Sequence, residues 1–405
     1  MSDVPRWIRV SFIDVFGETN SVQVPGSRWA SAVAEGILFD GSALEGRARL
    51  LESDMLLRPV EKSLVVSQGV GRAFGEVLTP VGEPWPGDPR IALALVVDRL
   101  GDLAAAWKGM AELEFYLLDM QGAPVDRGFY FDAVEGRGIE TVRRAAEGLA
   151  RHGVEVQSCH HEAGPGQYEI DFGPLPPTQL ADALTLAKQL VREAATAEGI
   201  RATFMARPLE GEPGSGLHLH QTADHEFGDA AGELTSSGRA FLAGQLRHAA
   251  ALVALGSPTV NSYKRLHGTG EAPGSAMWSH RHRAALLRVS ASGIEYRGSD
   301  PSANPYLLIA GLLLAGADGI SEDAELGPAQ DESIGGFDPT GDSVRYEPLP
   351  RTLDDALDAL MADDVIVDGF DDALLNRLVD GRRAEAAAYR QHVTKWEIDR
   401  YLDGA

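Results

Sequence analysis

Four short segments of this chain alternate polar and apolar residues in the same way, and together they constrain the fold more than any other feature. In residues 111–115 Glu112 and Glu114 fall on one side of an extended strand, with Leu113 and Phe115 on the other. In 167–172 Glu169 and Asp171 oppose Ile170 and Phe172, and in 217–220 His218 and His220 oppose Leu217 and Leu219. In 294–297 Glu295 and Arg297 oppose Ile294 and Tyr296. One such strand turns its polar side to water. Four of them, each close to glycine, predict a curved sheet whose polar face lines a cavity. Carboxylates that face one another repel, and cations are the usual remedy. Oxygen-rich sites with an occasional imidazole suit Mg²⁺ or Mn²⁺, and a single cysteine, Cys159, disfavours structural zinc.

Arginines form the complementary group. Arg265, Arg281, Arg283, Arg288 and Arg297 all lie between residues 261 and 300, a region poor in carboxylates. Guanidinium forks match carboxylate and phosphate oxygens. Carboxylate-bound metals beside several arginines are what phosphoryl transfer needs, because its transition state spreads negative charge over the equatorial oxygens. No GxxxxGK[ST] run occurs, which argues against a P-loop nucleotide site. The net charge of −24, from 60 acidic and 36 basic residues, argues against nucleic acid or an anionic membrane as partner. The longest apolar stretch, Tyr306 to Ala315, is too short to span a bilayer. The first ten residues show no secretory leader, and one cysteine cannot form an internal disulfide, so a cytoplasmic protein is expected.

The remaining pattern predicts an α+β chain in two domains. Residues 7–16 and 21–25 read as strands around a turn at 17–20, and the proline- and glycine-punctuated run 83–90 marks a boundary, giving domains 1–88 and 89–405. Apolar spacing of three and four predicts helices over 139–152, 179–198, 238–255, 305–316, 353–362 and 371–396. Residues 324–343 read as a surface loop.

Read in order, FDGSAL (39–44), ESDM (52–55), GEPWPGDPR (82–90), AELEF (111–115), HHEAGPGQYEIDF (160–172), GSGLHLH (214–220), NSYKRL (261–266), GEAP (270–273) and DPSANPYL (300–307) resemble the signature blocks of bacterial and archaeal glutamine synthetases. The resemblance implies an N-terminal β-grasp domain and a catalytic domain whose curved antiparallel sheet forms a half-barrel backed by helices. It implies a homo-oligomeric ring, hexamer or dodecamer, in which each active site is completed by the neighbouring subunit. Carried over position by position, Glu114, Glu162 and Glu169 would hold one Mg²⁺ or Mn²⁺, and Glu112, His218 and Glu295 a second, with two to three ions per site. Arg265, Arg283 and Arg297 would hold the carboxylates of glutamate and the transferring phosphoryl group, with Gly214 supplying a backbone contact. His220 and Arg288 would lie by the nucleotide, ATP. Glu271 would shield the intermediate. Asp40 and Asp54, from the adjacent subunit, would attract ammonium and take its proton, and Tyr130 would border that pocket.

Some positions leave the pattern. Pro213 stands where an asparagine would touch glutamate, and Ser290 and Gly293 replace basic residues ahead of Glu295. Ala43 and Gly270 are smaller than the residues usual at their places. Three readings follow: ligation of ammonia to the γ-carboxylate of glutamate; ligation of a methylamine-, ethanolamine- or polyamine-sized amine by the same chemistry; and a catalytically silent homologue that binds metabolites.

Overall fold

The computed structural model describes residues 5–41, 44, 54–67, 69–133, 135–223, 227–228, 233–268, 271–291, 293–331 and 347–404. Two sheets organise them. The first holds β1 (Trp7–Ile13), β2 (Thr19–Pro25), β3 (Ile37–Asp40), β4 (Asp54–Pro59), β5 (Val65–Ser67) and β6 (Val70–Leu78). Its order is β2-β1-β6-β4-β3, with β5 on β6, and β1 and β6 run parallel at its centre. Alternation in β1 and β4 turns Ile8, Val10, Met55 and Leu57 inward, where they pack with Val77 and Trp85 as a small separate core. The resulting mixed sheet with helix 29–35 is a β-grasp arrangement.

The second sheet holds β7 (Lys108–Leu118), β8 (Val156–His161), β9 (Gln167–Phe172), β10 (Arg201–Thr203), β11 (Leu217–Thr222), β12 (Trp278–Ser279), β13 (Leu287–Ser290) and β14 (Gly293–Tyr296). Its order is β12-β13-β14-β11-β7-β9-β8, with β10 on β7, and every pairing but β12 with β13 is antiparallel. The four alternating segments of the sequence are therefore four consecutive strands. Their apolar residues Leu113, Phe115, Ile170, Phe172, Leu217, Leu219, Ile294 and Tyr296 are each at most 1% exposed. Burial of each such side chain contributes roughly 1.5–3 kcal/mol. Helices Arg137–Arg151 and Pro177–Ala197 cover that face. The other face is left for polar groups.

Three helical details differ from the periodicity. The run 238–255 is two helices, Ser236–Arg247 and Ala249–Gly256, broken where the His248 ring reaches Asp363 and Asp318 at 2.7 and 3.0 Å. The run 371–396 is also two, Asp372–Gln391 and Lys395–Tyr401. The second restarts at a capping box between Thr394 and Glu397. Helix Pro89–Leu100 was not legible as a period because its apolar residues are nearly continuous; Asp88 caps it and Pro89 opens it. The Asp88 carboxylate also accepts from Val77 N at 2.7 Å, tying the first sheet to the helix that follows it.

Helix Pro305–Ser321 is apolar on all sides and buried among helices 89–100, 177–197 and 236–247, which makes it the centre of the large core. Among the described residues no helix is long and apolar enough to cross a membrane. Residues 324–331 carry no regular structure, as expected for a loop, and 332–346 lie outside the described residues, as do Ala43 and Gly270.

Candidate active site

Register turns the polar face into ordered rows. His218 stands opposite Glu112 on β7, Glu112 opposite Asp171 on β9, and Asp171 opposite Ser158 on β8. One step along, Glu114 is opposite Glu169 and Glu169 opposite His160. On the other flank Arg288 pairs with Glu295 and Glu295 with His220. Directly opposed side chains sit roughly 4.5–5.5 Å apart at Cβ, so these groups cannot avoid one another.

The rows floor a cavity of about 780 Å³. Of the residues singled out from the sequence, Glu112, Glu114, Tyr130, Glu162, Glu169, Gly214, His218, Arg265, Glu271, Arg283, Arg288 and Arg297 all line it. Glu295 and His220 lie beneath it, 0% and 6% exposed. Asp40 and Asp54 do not reach it. They face each other as a cross-strand pair at the exposed end of β3 and β4. Arg281 is exposed and outside the cavity too. Ser290 and Gly293 pair across the β13–β14 hairpin, away from the lining. Gly293 has a φ of +105°, and a Cβ there would meet Gln221 O at 2.4 Å, so only glycine suits the turn.

The acidic end is strongly perturbed. Burial pushes the Glu114 carboxyl up to about 7 against the opposing pull of Arg265 and Gly216 N. Burial, then the neighbouring Glu114, pushes Glu162 up to about 7. Burial and four surrounding carboxylates raise Glu169 well above its ordinary range. Glu112 goes the other way: burial would raise it, but hydrogen bonds from His218 and His220, both 2.8 Å, outweigh that and hold it low. Burial and Arg297 push the His218 imidazole down to about 4, leaving it neutral and ligand-competent. Ligand atoms of Glu112, His220 and Glu295 lie within 4.8 Å of one another, and so do those of His160, Glu169 and Asp171. His218 Nδ1 stands 3.8 Å from Glu295 Oε1.

The basic end is built on the opposite wall. Arg297 donates to Glu295 and, from Nε, to Arg283 O at 2.6 Å, while Arg288 Nε donates to Glu295 at 2.5 Å. Arg265 is 6% exposed, and its Nη1 is buried with no hydrogen-bond partner among the described residues. A buried, unpaired guanidinium nitrogen on the cavity wall is an open position for an anionic ligand. Gly214 and Gly216 pass closest to Arg265: a Cβ on Gly214 would meet its Cγ at 2.7 Å and Ala206 O at 2.8 Å. Glu271 spans the mouth, 3.6 Å from Arg283 Nη1 and 3.9 Å from Arg297 Nη2. Tyr130 accepts from Arg283 at 3.4 Å.

Several lining residues escaped the sequence reading. His160 and Ser158 belong to the same rows, on a strand with too few apolar residues to mark a face from the sequence. Gln167 is 1% exposed and donates to Glu114 at 3.1 Å and to Gly214 O at 3.2 Å, so it sets the position of both. Phe129 and Phe131 line the mouth while 63% and 64% exposed, and Phe131 holds a φ of +62°. Its ring packs 4.2 Å from that of Tyr130 and 4.7 Å from that of His160. Arg207 and Glu212, also in the lining, follow no periodic signal.

The family model described as glutamine synthetase, catalytic domain, matches residues 86–401, and that described as glutamine synthetase, beta-Grasp domain, matches residues 5–78. The chain is 35% identical over 425 residues to the glutamine synthetase of Thermotoga maritima, covering 98% of this chain and 96% of the relative. It is 36% identical over 429 residues to that of Thermus thermophilus, with 98% and 96% covered. Among solved structures it is similar to GmaS without ligand, with a TM-score of 0.88, 31% identity and coverage of 98% and 97%. A GmaS–ADP complex gives a TM-score of 0.87 at 30% identity, with both chains fully covered.

Proposed function

The chain belongs to the glutamine synthetase family, and on that premise we propose that it joins ammonia to the γ-carboxylate of glutamate through γ-glutamyl phosphate and also takes short primary amines. It is an ATP-dependent glutamate ligase. The observation that carries the reading is the union, in one cavity, of carboxylate–histidine rows with an arginine wall that has an open donor at Arg265.

Divalent cations fit the residues present. His218 Nδ1 stands 2.8 Å from Glu112 and 3.8 Å from Glu295, and burial, joined by neighbouring carboxylates, raises the carboxyl groups of Glu114, Glu162 and Glu169. Mg²⁺ or Mn²⁺, two to three per site, would be held by Glu112, Glu114, Glu162, Glu169, His218 and Glu295, and when bound would draw charge from phosphate oxygens. The protein's own groups do the rest. Arg265, Arg283 and Arg297 hold the carboxylates of glutamate and the oxygens of the transferring phosphoryl group, with the Gly214 backbone beside them. Arg288 and His220 serve the nucleotide, for which a GmaS of this fold solved with ADP is further support. A γ-carboxylate oxygen attacks the γ-phosphorus and ADP leaves. The amine nitrogen then attacks the acyl carbon, phosphate leaves, and the amine proton passes to a carboxylate. Glu271 and Tyr130 keep water from the acyl phosphate.

The amine selects between the first two readings. One methylene is worth roughly 1–3 kcal/mol in a tight pocket and less in an open one. The mouth beside Tyr130 is open and rimmed by Phe129 and Phe131, which offer apolar surface to an alkyl chain. Steady-state kinetics with ammonia, methylamine, ethanolamine and putrescine, at saturating glutamate and ATP, should show ammonia and at least one short amine within about tenfold in kcat/KM. A preference for ammonia by several orders of magnitude leaves a plain glutamine synthetase, and no turnover with any amine leaves the silent homologue.

Asp40 and Asp54 reach a cavity only if it belongs to another subunit, which supports a homo-oligomeric ring with shared sites. Helix Lys395–Tyr401 buries none of its residues and leaves Trp396, Ile398 and Tyr401 exposed, as an assembling surface does. Inactive Asp40→Ala and Arg283→Ala proteins, dissociated and co-assembled, should regain part of the wild-type activity through mixed interfaces. Mixed rings without recovery would count against shared sites. We place the domain division at 88/89, which the Asp88 cap supports, and the enzyme in the cytoplasm, in keeping with its single thiol.

A further inference from the structure

A second cavity, of about 360 Å³, lies between the β1–β2 turn, helix Pro177–Ala197, strand β10 and helix Asp372–Gln391. It shares no lining residue with the first. Three cations line it, Lys188, Arg192 and Arg382, against a single carboxylate, Glu18. Two of the cations are buried without full compensation. Lys188 is 7% exposed, on a helix face with the buried Leu184 and Val191, and it donates to Ala303 O at 3.3 Å. Among the described residues no carboxylate lies within ion-pair distance of it; Asp300 and Glu18 attract it from farther off, and burial pushes its ammonium down to about 8. Arg382 is 9% exposed, with its guanidinium over the Phe16 ring. Nη1 reaches Glu385 at 2.7 Å and Nη2 reaches Phe16 O at 3.1 Å, while Nε is buried with no partner among the described residues.

Buried cations are retained when something neutralises them, and the cavity supplies the room for it. We propose that this cavity binds a small dianion, a phosphate-type oxyanion or a dicarboxylate, held by Lys188 and Arg382 with the exposed Arg192 at its edge. Its volume lies in the range of small-molecule sites, roughly 300–1,000 Å³. The cavity is also wired to the active site. Asn261 lines it, and its side chain accepts from Arg207 N at 2.8 Å and donates to Arg207 O at 3.1 Å. Arg207 lines the first cavity, so an occupant of the second bears on a residue of the first.

Calorimetric titration of the full-length protein with sulfate, inorganic phosphate and succinate tests the site and tells oxyanion from dicarboxylate. Lys188→Met should fold and melt at or above the wild-type temperature in anion-free buffer, because an apolar side chain of similar length replaces an unpaired buried charge. It should weaken binding of at least one of the three anions tenfold or more. Arg192→Ala, at an exposed position, should weaken the same binding severalfold. Arg283→Ala, in the first cavity, should leave it intact. Binding that survives both Lys188→Met and Arg192→Ala, binding lost only in Arg283→Ala, or no binding of any of the three anions to wild type would each overturn the assignment.

Discussion

Glu162→Ala is expected to lower ligase turnover by about a hundred- to a thousandfold, the scale seen when one charge-stabilising group is taken from a reaction centre. Glu162 is 8% exposed and sits with Glu114 and Glu169 at the acidic end of the cavity. The three carboxylates are tolerable side by side only with protons or cations among them. Glu114 and Glu162 are both pushed up to about 7 from an ordinary 4.5, so the folded chain holds their protons more tightly than the unfolded chain does. That contribution to stability is complete below about 4.5 and is lost as pH rises through about 7. A divalent cation takes over where the protons leave. The rise in melting temperature produced by Mg²⁺ or Mn²⁺ should therefore grow between pH 6 and pH 8 in the wild type and be much smaller in Glu162→Ala. Activity assays and thermal melts at three pH values, with and without metal, check both halves. Wild-type turnover in the variant would remove Glu162 from the site.

The same cluster shows how far sequence can be read. Alternation exposes which residues of a strand share a face, so Glu112 with Glu114 and Glu169 with Asp171 were legible at once. It carries no information about which strands are neighbours, and the rows exist because β14, β11, β7 and β9 are adjacent in that order. His160 shows the cost of stopping at four strands. It occupies a row beside Glu169 with Nε2 3.2 Å from that carboxylate, yet its own strand, β8, has too few apolar residues to announce a buried face. Helix breaks were hidden for a different reason: apolar spacing continues across His248, and only the ring's contacts with Asp318 and Asp363 show the interruption. The break at 392–394 could have been found from the Thr394–Glu397 capping box. Asp40 and Asp54 mark the other limit. Their residue types and blocks were readable, but their position at the exposed end of β3 and β4, outside the cavity of their own chain, follows from the pairing of the first sheet, which no short block encodes.

Glu295→Ala is expected to destabilise the protein by about 3–5 kcal/mol, the usual cost of removing one partner from a buried ion pair. Glu295 is 0% exposed, and both carboxylate oxygens are engaged, Oε1 by Arg297 and Oε2 by Arg288 at 2.5 Å. Burial would raise its carboxyl, but His218, Arg297 and His220 together hold it below the ordinary range. Alanine would leave Arg297, itself 5% exposed, with a guanidinium aimed at an empty space. Arg288 keeps more access to water and can relax outward, so most of the penalty falls on Arg297. In a chain of this length the loss should appear as a fall in melting temperature of roughly 5–15 °C, measured without added metal so that ligation does not enter. Glu295→Gln should recover only part of it, since an amide has one acceptor oxygen and would turn its NH₂ donors toward the other guanidinium. Replacing both members of the more buried pair, Arg297→Met with Glu295→Met, should cost less than the sum of the single changes, because neither buried charge is then left without its partner. A Glu295→Ala protein that melts within about 2 °C of wild type would mean that Arg297 finds another partner, and the wall of arginines would then owe its shape to packing rather than to this carboxylate.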